Sequence, residues 1–170
     1  MHYPPHPQRG FTLIELMIGL TLMALLVGLT LPAFRASGAR AQLKSQTTDI
    51  MAAIASARSE AIRRGKSVKA CGSDSGTACV IGKWPYGFII VESSAGTIIQ
   101  KQLRNEAKLV ISGADNFEFG ADGRSKSGTA NLTLCSTASA VKDEERAKTI
   151  SVSTTGRLSV TNIPKTSDCS

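Results

Sequence analysis

Glu15 is the only charged side chain between Phe11 and Leu31. A lone carboxylate near the start of so long an apolar run costs a few kcal/mol in hydrocarbon and is a functional position by default. Its natural complement is a buried cation, because two opposite charges that are each costly alone become tolerable as a pair. Four cysteines, Cys71, Cys79, Cys135 and Cys169, are the other reactive side chains. None lies in a C-x-x-C pair, so the spacing of a zinc site is missing, and disulfides in an oxidising compartment are expected instead. Three pairings are open to them. Short-range closure favours Cys71–Cys79, which leaves Cys135–Cys169 to tie down the C-terminal tail. Both histidines, His2 and His6, precede the apolar run. Beyond Gly10 the chain therefore has no imidazole for a catalytic triad, a Cys–His pair or a metal. Asp143-Glu144-Glu145 reads as a solvated loop, and no Gly-rich phosphate loop precedes a helix. No cofactor and no enzymatic activity are expected.

The elements that position these residues follow from periodicity. Met1 to Gly10 is polar, with Arg9 its only basic side chain. Phe11 to Leu31 is long enough to span a bilayer core as a helix, which takes about 20 residues. Pro32 removes one helical hydrogen bond and predicts a kink. The pattern then continues as an amphipathic helix: Ala36, Leu43, Ile50, Ile54, Ala57 and Ala61 fall on one face. Arg40, Lys44, Asp49, Arg58 and Glu60 mostly fall elsewhere, and Arg63-Arg64-Gly65 supplies a basic last turn and a stop. One helix is predicted over 11–64. Strands are predicted over 67–71, 86–92, 97–103, 108–112, 116–120, 131–136, 149–153 and 157–161, with turns at Ser93–Gly96, Ala121–Arg124 and Thr154–Gly156. The expected fold class is α+β, a long N-terminal helix packed on an antiparallel β domain. Leu43, Ile50, Ile54, Phe88, Ile90, Phe117, Phe119, Leu134, Ile150, Val152, Leu158 and Val160 are the expected core.

Arg9-Gly10-Phe11-Thr12-Leu13-Ile14-Glu15-Leu16 resembles the class III signal of type IV pilins and pseudopilins. That resemblance implies cleavage by a prepilin peptidase between Gly10 and Phe11, methylation of the new N-terminal Phe11, and pairing of Glu15 with the N-terminal amine of a neighbouring subunit. A secretory signal would have a shorter apolar core, and Arg35 intervenes before the small residues Ser37-Gly38-Ala39. Residues 1–10 are then a leader, 11–32 the transmembrane and assembly half of the helix, 33–65 its amphipathic half, and 66–170 the β domain. Loss of Arg9 lowers the formal charge of +7 by one.

Three C-terminal stretches, Phe117 to Ser125, Leu132 to Cys135 and Ile150 to Leu158, resemble the β domain of the GspH/FimT group. The resemblance implies a minor pilin of a type IV pilus, FimU-like, in a tip or priming complex with other minor and major pilins. The alternatives are a GspH-like pseudopilin of type II secretion or a FimT-like DNA-uptake pilin. DNA, the weaker partner, would be held by Arg157 and Arg124, together with Lys126, Lys142, Arg146, Lys148 and Lys165. The FimT motif Gly-Arg-x-Arg is here Gly156-Arg157-Leu158-Ser159, with Ser159 in place of the second arginine. The implied location is the inner membrane, single-pass, with the β domain in the periplasm. Arg35, Arg40 and Lys44 on the far side of the run oppose that orientation by the positive-inside rule. Long domains translocate in spite of such flanking charge, and the cysteines favour the periplasmic side.

Overall fold

The computed structural model describes residues 11–105, 109–139 and 141–164, without the side chains of 29–33 and 143. By contact density the chain divides into residues 1–35 and 36–170. One helix, α1 (Leu13–Arg64), belongs to both. In the first unit the helix presents Leu13, Ile14, Leu16, Met17, Leu20 and Leu22 to the outside, all more than half exposed. Among the described residues no helix is long and apolar enough to cross a membrane. The bilayer span expected over 11–32 is thus not obtained from them: the run's side chains are described only as far as Gly28, short of the required length of about 20 residues.

In the second unit α1 buries Ala36, Leu43, Ile50, Ala53, Ile54, Ala57 and Ala61, the expected face. The helix ends in a Schellman motif. Lys66 N–H donates to the Ala61 carbonyl at 3.3 Å, Gly65 N–H donates to Ile62 at 3.4 Å, and Gly65 has φ +64°.

Among the described residues eight strands follow: β1 (Val68–Gly72), β2 (Gly87–Glu92), β3 (Ile98–Leu103), β4 (Leu109–Gly113), β5 (Asn116–Phe119), β6 (Ala130–Ser136), β7 (Ala147–Val152) and β8 (Leu158–Ile163). They form two antiparallel sheets, β3-β2-β1-β5 and β4-β6-β7-β8. The chain changes sheet three times, between β3 and β4, between β4 and β5, and between β5 and β6. One core joins both sheets to the helix: Leu43, Ile50 and Ile54 meet Phe88, Ile90, Phe117, Phe119, Leu134 and Ile150. Full burial of one such side chain contributes about 1.5–3 kcal/mol.

Two positions differ from expectation. Val160 is 37% exposed, because β8 is the edge of its sheet and only its partner Ile150 lies over the core. Trp84, not expected in the core, is 2% exposed in a 3-10 turn, Trp84–Tyr86. Its indole N–H donates to the Ala114 carbonyl at 3.0 Å and its ring meets Phe117 edge-on.

Candidate assembly site and basic turns

Phe11 is 87% exposed at the start of the described chain; Gly10, the other residue of the expected cleavage point, lies outside the described residues. Thr12 precedes the first helical residue, Leu13. The Thr12 N–H and hydroxyl donate to Glu15 Oε2 at 3.1 and 3.0 Å, and Glu15 N–H donates to Thr12 Oγ1 at 3.2 Å. This is a capping box: threonine and glutamate three residues apart satisfy two backbone donors that the first helical turn leaves free. The Glu15 carboxylate is therefore positioned by its own chain, close to Phe11 at the helix N-terminus, where the macrodipole favours negative charge.

The cysteines behave partly as expected. Cys71 and Cys79 form a disulfide with Cα atoms 5.5 Å apart. Cys135 is fully buried and disulfide-bonded; Cys169 lies outside the described residues. The 71–79 loop is also held by Ser73, whose hydroxyl donates to Ala78 O at 2.7 Å and accepts from Gly76 N–H at 2.9 Å.

The two Gly-Arg turns meet. Ala121–Arg124 follows β5 of one sheet, and Thr154–Gly156 joins β7 to β8 of the other. Ser125 N–H donates to the Thr154 carbonyl at 3.1 Å. Gly156, at φ +78°, lies so close to the Gly123 carbonyl that a Cβ there would collide with it. From α1, Arg58 Nε donates to Gly123 O at 2.9 Å and its Nη2 to Thr155 O at 3.3 Å. Arg58 is thus half-buried and fastens helix and both turns together. Arg124 and Arg157 emerge from the joined turns, both exposed. The other expected cations do not all gather there. Arg146 donates to the carbonyls of Val141 and Ser139, Lys148 donates to Asn162, and Lys165 lies outside the described residues.

Two carboxylates are held below their ordinary value. Glu92, 5% exposed, is lowered chiefly by the hydrogen bond from Lys66 Nζ at 2.7 Å. Desolvation works against that shift, and Ser94 and Arg64 reinforce it. Glu60 is lowered by hydrogen bonds from Arg63 and then Arg64. A half-buried pair, Asp49 and Arg104 at 2.8 Å, links α1 to the end of β3. No cluster of three or more His, Cys, Asp or Glu side chains able to hold a metal occurs among the described residues.

The sequence matches the prokaryotic N-terminal methylation motif over residues 5–31 and the family described as type II transport protein GspH over residues 46–156. No curated protein matches it. Among solved structures the fold is similar to the type IV minor pilin FimU of Pseudomonas aeruginosa. In one crystal form the TM-score is 0.58 at 18% identity, covering 75% of this chain and 96% of that one. In a second form it is 0.47 at 16% identity, covering 79% and 98%. With the GspH match running from the amphipathic half of α1 through the Thr154–Gly156 turn, and the methylation motif ahead of it, the chain belongs to the GspH family of pilin-like proteins.

Proposed function

We propose that the chain is a minor pilin: cut by prepilin peptidase between Gly10 and Phe11, methylated on Phe11, held in the inner membrane by the first half of α1 with its β domain in the periplasm, and assembled into a type IV pilus within a tip or priming complex. One observation supports it above the others. The N-terminal part of α1 is an exposed apolar rod whose only described charge, Glu15, is fixed at its tip. Such a rod is satisfied by lipid before assembly and by neighbouring apolar helices after it. Glu15 Oε2 accepts two hydrogen bonds from Thr12, and its charge still calls for a cation. The methylated amine of a neighbouring subunit's first residue supplies one. The chain is on this account a substrate of the peptidase and a structural subunit.

The test is processing followed by incorporation. Gly10→Val should leave a longer, uncut form on a gel, and the wild-type chain should be recovered in sheared pili. Recovery only in secretion-system pseudopili would instead favour the GspH-like role. A second reading, DNA binding, is favoured by one feature: two exposed arginines, Arg124 and Arg157, leave turns that are bonded to each other.

A further inference from the structure

Each sheet ends in two edge strands, and a bare edge presents unpaired backbone N–H and C=O groups that another chain can use. Three of the four edges are protected. β5 is covered by the segment that follows it: Lys126 N–H donates to the Glu118 carbonyl at 2.8 Å, Gly120 N–H donates to the Arg124 carbonyl at 2.9 Å, and Phe119 pairs with Ser125. β4 buries Leu109 and Ile111 and lies against the Trp84–Tyr86 turn. β3 carries the exposed Lys101 and meets β2 through a bulge at Ile90 and Val91. An edge lysine and a bulge both discourage further pairing.

β8 has none of these devices. From Leu158 to Ile163 it carries no charge and no proline, and its register with β7 is unbroken. Ser159, Val160, Thr161 and Asn162 are exposed, and Val160 adds an apolar side chain at the open edge. Among the described residues no segment pairs with β8 on the side away from β7. Cations flank this uncharged strand at both ends. Arg157 precedes it, exposed and without an ion pair among the described residues. At the other end, α1 and β8 border an open cavity of about 230 Å³ lined by Arg40, Lys44, Glu144, Glu145, Lys148 and Asn162. Arg40 and Glu145 neutralise each other at 2.6 Å, so Lys44 and Lys148 outnumber Glu144 there.

We propose that β8 is extended by a strand of a different filament subunit, an uncharged run with Asp or Glu at its ends. The bare backbone edge selects an extended segment. The cations at both ends of β8 select acidic flanks on that segment. A second copy of this chain is disfavoured by the same charges. Antiparallel β8–β8 pairing brings Arg157 of one copy to the Lys44 and Lys148 end of the other, and like charges opposed across strands destabilise the pair. The assignment rests on the filament role proposed above, which makes other subunits the neighbours of β8.

The test uses the full chain in piliated cells, with a photo-cross-linking benzoylphenylalanine at Ser159 on β8 and, as control, at Gln100 on β3. Light should give an adduct from position 159 to another pilin-type subunit, through a peptide with Asp or Glu at the end of an uncharged run. Successive backbone N–H groups of a strand point to opposite sides. Of Val160→Pro and Thr161→Pro, one therefore removes a bond to β7 and the other only an outward donor. The variant that keeps the wild-type denaturation midpoint in detergent should lose the adduct. Arg157→Glu should reduce it about tenfold, the effect of roughly 1.4 kcal/mol. Arg157→Lys should retain it, and the adducts from position 100 should be unchanged by any of these variants. An adduct that survives the stable proline variant or Arg157→Glu, an adduct to a second copy of this chain, or no adduct although the chain is in sheared filaments each overturns the strand pairing. A lowered midpoint in both proline variants does so too, since neither N–H would then point away from β7. Absence of the wild-type chain from filaments overturns the filament role, and this partner with it.

Discussion

Thr12 and Glu15 cap each other at the start of α1, and this relationship gives the carboxylate two separable properties. Its Oε2 accepts from the backbone N–H and the hydroxyl of Thr12 in its own chain, which fixes the side chain's direction. Its charge is a separate asset, available to a cation outside the chain. A glutamine in the same place keeps the first property and lacks the second, because capping boxes accept either residue.

Substitution of Glu15 therefore distinguishes the roles. Glu15→Gln should insert into the membrane and start its helix normally, yet fail to enter filaments. Glu15→Ala should fail in the same way and also lose the cap, worth about 1 kcal/mol of helix-end stability. Thr12→Ala should weaken the cap by a similar amount while leaving the charge. The measure is the ratio of chain in sheared filaments to chain in the membrane. Normal incorporation of Glu15→Gln would reduce Glu15 to a capping residue.

The contact between Arg58 and the two turns makes a second prediction. Arg58→Met leaves the Gly123 and Thr155 carbonyls without their donors, at about 1–3 kcal/mol. Gly156→Ala forces a side chain onto the Gly123 carbonyl and against the Arg58 guanidinium, in a backbone conformation that disfavours it. It should cost more than Gly65→Ala, where φ is also positive but no atom lies within 4 Å; that change costs about 1–2 kcal/mol. Because Arg58 and Gly156 share one contact, the double variant should lose less than the sum of the two single losses. Denaturation midpoints of the full chain in detergent would show this. Strict additivity would mean the turns are not fastened through Arg58.

The periodicity of single elements was plain in the sequence; their partnerships were not. The seven-residue step from Leu43 to Ile50 marks the buried face of α1, and the alternation around Ile150 and Val152 marks β7. Alternation says which residues share a face but not which strands pair. Nothing local announces that β1 lies between β2 and β5, or that β4 leaves for the other sheet. Trp84 was invisible because it sits between Lys83 and Pro85 with no period to join, and its burial depends on the distant Ala114 carbonyl. Arg58 reads only as a residue off the apolar face of α1 until the carbonyls it serves are known. At the assembly site the Gly10–Glu15 motif was legible, while the reciprocal bonding of Thr12 and Glu15 needed the geometry.

Acid should weaken the β domain through Glu92. Its carboxylate titrates below the ordinary 4.5 when folded, because Lys66 donates to it. The folded state then binds this proton less readily than the unfolded chain does. The stabilisation is fully present above 4.5 and is lost as pH falls through the lower, folded value. Glu60, lowered by Arg63 and Arg64, acts in the same window. Lys66→Met removes the first cause at Glu92 alone. Its denaturation midpoint should therefore fall less between neutral and acid pH than the wild type's. Equal falls in the two proteins would show that Lys66 does not set the Glu92 titration.

DNA binding, if it occurs, should pass through the joined turns and show the salt dependence of phosphate contacts. Arg124 and Arg157 are exposed there, and neither forms an ion pair among the described residues. Each phosphate neutralised contributes about 0.9 to the log–log salt slope on duplex DNA. Two arginines alone give a slope near 2 on that scale, far weaker than a dedicated binder making roughly 6–10 phosphate contacts. A gel-shift series with the full chain in non-ionic detergent should therefore show binding at low salt only. Arg124→Ala and Arg157→Ala should each reduce the slope by about one. Adding the missing cation as Ser159→Arg, on the exposed edge strand β8 two residues beyond Arg157, should raise it by about one. A slope unmoved by all three substitutions would place any DNA contact elsewhere on the domain. No binding even at low salt would leave the two arginines as solvated charges on a structural turn.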